Sequence, residues 1–151
     1  MGRKTLASGF TLVELLVTLA VLAILASIAS PTFGRIIAEN RTTSAANEFL
    51  AMLQTARSEA VRLNRPIQVQ PLTGNNWGSG AQSLDPDNNP IRRMPQLGQG
   101  LALTGPPPPL TFQPAGNSTA EDFEISHTAG PTRCIRVELS GSARIETGAC
   151  T

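Results

Sequence analysis

The sequence predicts an α+β fold: one long N-terminal helix, a membrane half followed by an amphipathic half, packed on a small antiparallel β head. Three observations predict it. Residues 10–30 contain a single charged residue, Glu14. From Ile36 to Leu63 apolar residues recur at spacings of three and four, the helical period. After Asn64 the period drops to two, and most of the 12 prolines and 13 glycines lie there.

The bulk composition narrows the function classes. A chain of 151 residues suits one modest domain plus an accessory segment. Its net charge of +1 creates no strong field toward nucleic acid or an acidic membrane surface. The one histidine, His127, stands beside Thr128 and three residues after Glu124, with no nucleophile or phosphate-cradling loop around it. Arg92-Arg93 reads as a solvated loop pair. No catalytic set, cofactor site or metal site is expected, because Cys134 and Cys150 lack a His or Cys cluster around them.

The apolar run comes first. A helix over residues 10–30 covers about 30 Å, one hydrocarbon core. Arg3 and Lys4 precede it. Basic flanks stay cytoplasmic, so the remainder faces outward, where Cys134 and Cys150 would pair as a disulfide. A cleaved signal peptide is the competing reading, with small residues Ser27 and Ala29 near its cut. Against it stand the run's length and Glu14, since an acid in that phase costs a few kcal/mol. The second helical half, residues 31–64, carries the stripe Ile36, Ile37, Ala46, Phe49, Leu50, Leu53, Ala56, Ala60 and Leu63. Asn64 and Pro66 end it.

The head comes next, residues 65–151. Ile67 and Val69 alternate with Gln68 and Gln70 as in a half-buried strand; Leu101–Leu103, Leu110–Gln113 and Phe123–Ser126 are further candidates. Thr73 to Gly100, rich in Asn, Gly, Pro and Asp, reads as loop, and Pro106 to Pro109 as a stiff connector. In a terminal hairpin, pairing Leu139 with Ile145 places Ile135, Val137 and Leu139 on one face and sets Cys134 opposite Cys150 on the other. That register implies a three-residue loop, Gly141-Ser142-Ala143.

The stretch GFTLVEL, residues 9–15, resembles the type IV prepilin signature. The resemblance implies a leader over residues 1–9, cleaved by a prepilin peptidase between Gly9 and Phe10, and N-methylation of Phe10. It implies that Glu14 pairs with the Phe10 amine of a neighbouring subunit, and that Pro31 kinks or loosens the helix. RTTSAANEFLAMLQTARSEAVRLNRPIQVQ, residues 41–70, together with Trp77-Gly78-Ser79-Gly80 and the closing RCIRVELSGSARIETGAC, resembles the GspH/FimT-type minor pilins and pseudopilins. This second resemblance implies the pilin fold and a minor pilin that primes or caps type IV pilus assembly. Its partners would be other major and minor pilins, its location the inner membrane, single-pass, with the head in the periplasm. An H-type minor pseudopilin of type II secretion is the alternative. Some FimT-like members bind double-stranded DNA for natural transformation through a Gly-Arg-x-Arg motif in the last hairpin. Here the matching residues are Gly141-Ser142-Ala143-Arg144, so only the glycine and last arginine remain. Arg133, Arg136 and Arg144 would be the contacts, offset by Glu138 and Glu146, which leaves a weak phosphate footprint.

Overall fold

The structure, a computed structural model, describes residues 10–151, with the side chains of residues 28–32 outside the description. Its elements are α1 (Leu12–Leu63) followed by β1 (Ile67–Thr73), β2 (Asn76–Leu84), β3 (Pro90–Met94), β4 (Leu101–Thr104), β5 (Leu110–Phe112), β6 (Glu121–His127), β7 (Arg133–Val137) and β8 (Ala143–Thr147). Contacts divide the chain into two units, residues 1–35 and 36–151.

Helix α1 begins at a threonine cap: the Thr11 hydroxyl accepts the Glu14 N–H at 3.2 Å. It ends in a Schellman motif. Asn64 takes a left-handed φ of 51°, its N–H donates to Val61 O, and Arg65 N–H donates to Ala60 O. The backbone is helical through residue 31, whose side chain lies outside the description.

In the second unit the helix buries Ala45, Ala46, Phe49, Met52, Leu53, Ala56 and Ala60. The stripe starts differently from the expected one. Ile36 and Ile37 are half exposed, while Ala38 and Thr42 are buried. The cause is close approach: a Cβ at Gly130, in the β6–β7 turn, would lie 2.9 Å from Ala38 Cβ, so a larger residue than alanine would not fit. Thr42 returns its hydroxyl to Ala38 O.

Two antiparallel sheets complete the head, in strand orders β3-β2-β1-β5 and β4-β6-β7-β8. The core centres on three rings. Phe49 meets Phe123 at 4.9 Å and Trp77 at 6.1 Å, and Trp77 meets Phe123 at 5.0 Å, all edge-to-face. Trp77 Nε1 donates to the carbonyl of Pro106 at 2.8 Å, so the proline connector also closes the indole's hydrogen bond.

Two expectations are corrected. Residues 73–100 are not one loop, since β2 and β3 lie within them. Turn chemistry makes these strands: Gly74-Asn75 joins β1 to β2 with Thr73 opposite Asn76, and Asp85 Oδ1 accepts the amides of Asp87 and Asn89 between β2 and β3. Arg92-Arg93 therefore sits in β3, with Arg92 reaching Thr55 Oγ1 at 3.3 Å.

The terminal hairpin has a different register. Ile135 pairs with Ile145, and Cys134 lies opposite Glu146 rather than Cys150. The turn spans residues 138–142, closed by Glu138 N–H to Ser142 O and Gly141 N–H to Glu138 O. Leu139 is 69% exposed instead of joining the core face. The reason lies outside the hairpin. Arg57 on α1 donates from Nε to Gly116 O (2.9 Å) and from Nη2 to Ser140 O (3.0 Å), pinning both turns to the helix.

The disulfide joins Cys134 and Cys150 by another route. Gly148, with φ of 102°, ends β8 and turns the tail back across the outer face of the sheet. There Cys150 N–H approaches Glu124 Oε2, and Arg136 donates to Thr151 O. With 16 residues of separation, the bond removes loop entropy from the unfolded chain worth about 3 kcal/mol. Replacing both cysteines by serine should therefore lower the unfolding free energy by about 3 kcal/mol in denaturant titration. A change below about 1 kcal/mol would mean that the tail contributes nothing to stability.

Candidate functional site

In the first unit the functional side chains lie on the start of α1. Phe10, Leu12, Val13, Leu15, Leu16 and the other large apolar residues on to Leu25 are at least half exposed. The hydroxyls among them are satisfied within the helix: Thr18 donates to Leu15 O and Ser27 to Ile24 O. Glu14 differs. Its backbone N–H is capped by Thr11, but among the described residues its carboxylate has no hydrogen-bond or ion-pair partner. Thr11 and Glu14 stand in the spacing of a capping box, a signal that the sequence carries and that reading Glu14 for its charge alone passes over. Gly9 lies outside the described residues, as does the side chain of Pro31. Among the described residues no helix is long and apolar enough to cross a membrane.

In the second unit the three hairpin arginines do not converge. Arg133 lies on the helix-facing side of β7, its side chain 14% exposed, and reaches Glu39 at 3.4 Å. Arg136 and Arg144 project from the opposite face. Arg136 pairs with Asp122 at 3.0 Å and Glu146 at 3.2 Å. Arg144 pairs with Glu146 at 2.8 Å and with Glu138. The hydrogen bond that Arg136 donates to Asp122 raises the pKa of Arg136, and those that Arg144 donates to Glu146 and Glu138 raise that of Arg144. In return the Arg144 hydrogen bond holds the Glu138 carboxyl below its ordinary range. The face is an alternating ladder in which the carboxylates of Asp122, Glu146 and Glu138 outnumber the guanidiniums of Arg136 and Arg144.

His127 closes β6, its Nδ1 accepting the Ala129 N–H at 3.0 Å and its ring against Gly100. Three residues apart on a strand, His127 and Glu124 project from opposite faces and do not form a pair. Asp122, Cys134 and Cys150 bring oxygen and sulfur within 4.8 Å, but both sulfurs are bonded to each other and offer no thiolate to a metal. A groove of about 770 Å³ runs between α1 and the β3–β4 connection past Arg41, Glu48 and Leu97.

The residue that the sequence pattern alone does not single out is Arg57. It sits four residues after buried Leu53 and beside buried Ala56, so its guanidinium emerges at the edge of the core rather than in open solvent. That neighbourhood was the available signal.

Comparison with known proteins places this geometry. Residues 45–142 match the family model for the type II transport protein GspH, and residues 5–30 match the prokaryotic N-terminal methylation motif. No curated protein matches the chain in sequence. The crystal structure of the type IV minor pilin FimU of Pseudomonas aeruginosa PAO1 is 31% identical, with a TM-score of 0.60 over 73% of this chain and 90% of that one. The minor pseudopilin EpsH from the Type 2 Secretion System of Vibrio cholerae is 16% identical, with a TM-score of 0.59 over 71% of this chain and 97% of that one. That second likeness is one of fold. A helix packed on two small antiparallel sheets, an N-terminal methylation motif and a family model matched over most of the head together mean that the chain belongs to the GspH family, as a minor pilin or pseudopilin of a type IV pilus or type II secretion system.

Proposed function

We propose that the chain is a minor pilin that primes or caps a type IV pilus. It is held in the inner membrane by residues 10–30, with its head in the periplasm, and is cut by prepilin peptidase between Gly9 and Phe10. The observation that carries this reading is the Glu14 carboxylate, without a partner among the described residues on a helix whose apolar side chains are exposed from Phe10 to Leu25. A lone carboxylate in an apolar phase is costly and a paired one is tolerable. Cleavage creates an amine at Phe10, N-methylated in this reading. The Phe10 amine of a neighbouring pilin supplies the pair, which fixes the stagger between subunits. Pro31 gives the helix room to adapt in the filament.

The identity of 31% to FimU, against 16% to EpsH, favours the pilus over the secretion system. DNA contact by Arg133, Arg136 and Arg144 is disfavoured by the carboxylate beside each guanidinium. Glu14→Ala should leave the subunit in the membrane fraction and absent from sheared filaments, as read by immunoblot of both fractions. Undiminished incorporation of that variant would sink the pairing.

A further inference from the structure

We infer that the groove beside Arg57 is a docking site for an acidic side chain of a neighbouring pilin subunit, an inference that rests on the filament reading above. The groove, about 560 Å³, lies at the C-terminal end of α1, where the turns after β5 and β7 meet. Its walls mix small apolar residues, Val61, Ala115 and Ala143, with the polar Gln54, Ser58 and Ser142, and Arg57 and Arg62 are the charged lining residues. No carboxylate lines it.

The two arginines differ in state. Arg62 is spoken for by Glu59, with Nε–Oε2 at 3.0 Å. Arg57 has only the carbonyls of Gly116 and Ser140, and among the described residues no carboxylate reaches it. Carbonyls accept hydrogen bonds without cancelling the charge. A guanidinium has five N–H donors, so those outside these two bonds remain for a ligand. Its two anchors already fix its orientation, so the ordering cost of binding is largely met before a partner arrives. Half burial also keeps its charge less screened than that of a surface arginine. A carboxylate is the planar, bidentate match to such a group.

One uncompensated cation among small and neutral walls fits a single acidic side chain on a protein surface. Nucleic acid would need several free cations along a track. The expected occupant is an Asp or Glu flanked by small apolar residues on the adjoining subunit.

The test uses the full chain in cells and reads its share in sheared filaments. Arg57→Gln should lower incorporation, but it also releases two turns, so the decisive pair is at Val61, which is 53% exposed. Val61→Glu places an acid beside Arg57 and should cut incorporation about tenfold, the effect of about 1.4 kcal/mol. Val61→Gln, similar in size and neutral, carries the same loss of an apolar wall without the charge and should retain severalfold more incorporation than Val61→Glu. The Cys134–Cys150 bond, checked on non-reducing gels, should stay closed in both. Equal behaviour of the two Val61 variants would overturn the inference. So would a duplex-DNA mobility shift lost in Val61→Glu while incorporation held, which would assign the groove to nucleic acid. Glu14→Ala in the same assay separates the two claims: if it is excluded while Val61→Glu enters normally, the groove fails and the filament reading stands.

Discussion

Phe49→Ala should lower the unfolding free energy of the chain by about 3–5 kcal/mol, the range for a large buried aromatic. Phe49 is fully buried on α1 and is the side chain that meets both Trp77 and Phe123. Trp77 comes from β2 of one sheet and Phe123 from β6 of the other, so a single ring joins the helix to both. Truncation removes transfer energy and leaves a cavity whose walls are held elsewhere, Trp77 by its bond to Pro106 and Phe123 by its strand pairing. Such walls collapse poorly, which favours the upper part of the range. Denaturant titration followed by the emission of the single tryptophan measures it directly. A loss below about 1 kcal/mol would show that the three rings are not the centre of the core.

Gly141→Ala should cost about 2–4 kcal/mol, combining left-handed strain with overpacking. Gly141 has φ of 73°, and a Cβ built there would overlap the Gly116 carbonyl oxygen. The same oxygen receives Arg57 Nε, so the turn cannot step aside without giving up that bond. An alanine at this position should therefore loosen both turns together. Hydrogen exchange of the Gly116 and Gly141 amides in the variant, alongside the denaturant midpoint, would register both. Wild-type exchange at Gly116 would mean that the turns move independently.

The helix was legible because burial imposes its period on the sequence: Phe49, Leu53, Ala56 and Ala60 cannot be spaced otherwise and still share a face. The fold class came from that period and its change after Asn64. Strands β2 and β3 were not legible, because NWGSGAQSL lacks the β-branched residues that mark a strand. Their pairing comes from the turns at both ends and from burial of Trp77 and Ala81. The terminal register was ambiguous for a geometric reason. The two pairings keep the same residues on the same face, so alternation could not choose between them. Arg57 chose, from a helix more than eighty positions earlier in the chain, and no local pattern contains that information. At the candidate site, Glu14 was visible as a charge where charge is expensive. The arginine ladder was visible in part, since Glu138 and Glu146 stand near Arg144 in sequence, while Asp122 and, on the other face, Glu39 come from distant positions.

The returning tail has a consequence in time. The first sheet uses only residues 67–112, so it can close while the rest of the head is still emerging from the ribosome or crossing a membrane. The bond between Cys134 and Cys150 has no such freedom. The Cys150 N–H approaches the Glu124 carboxylate on β6, its sulfur lies 3.3 Å from the Phe123 carbonyl oxygen on the same strand, and its sulfur partner is on β7. Oxidation in the native arrangement must therefore wait until the second sheet exists. Once closed in that arrangement, the bond holds the end of the chain against strands that have already met.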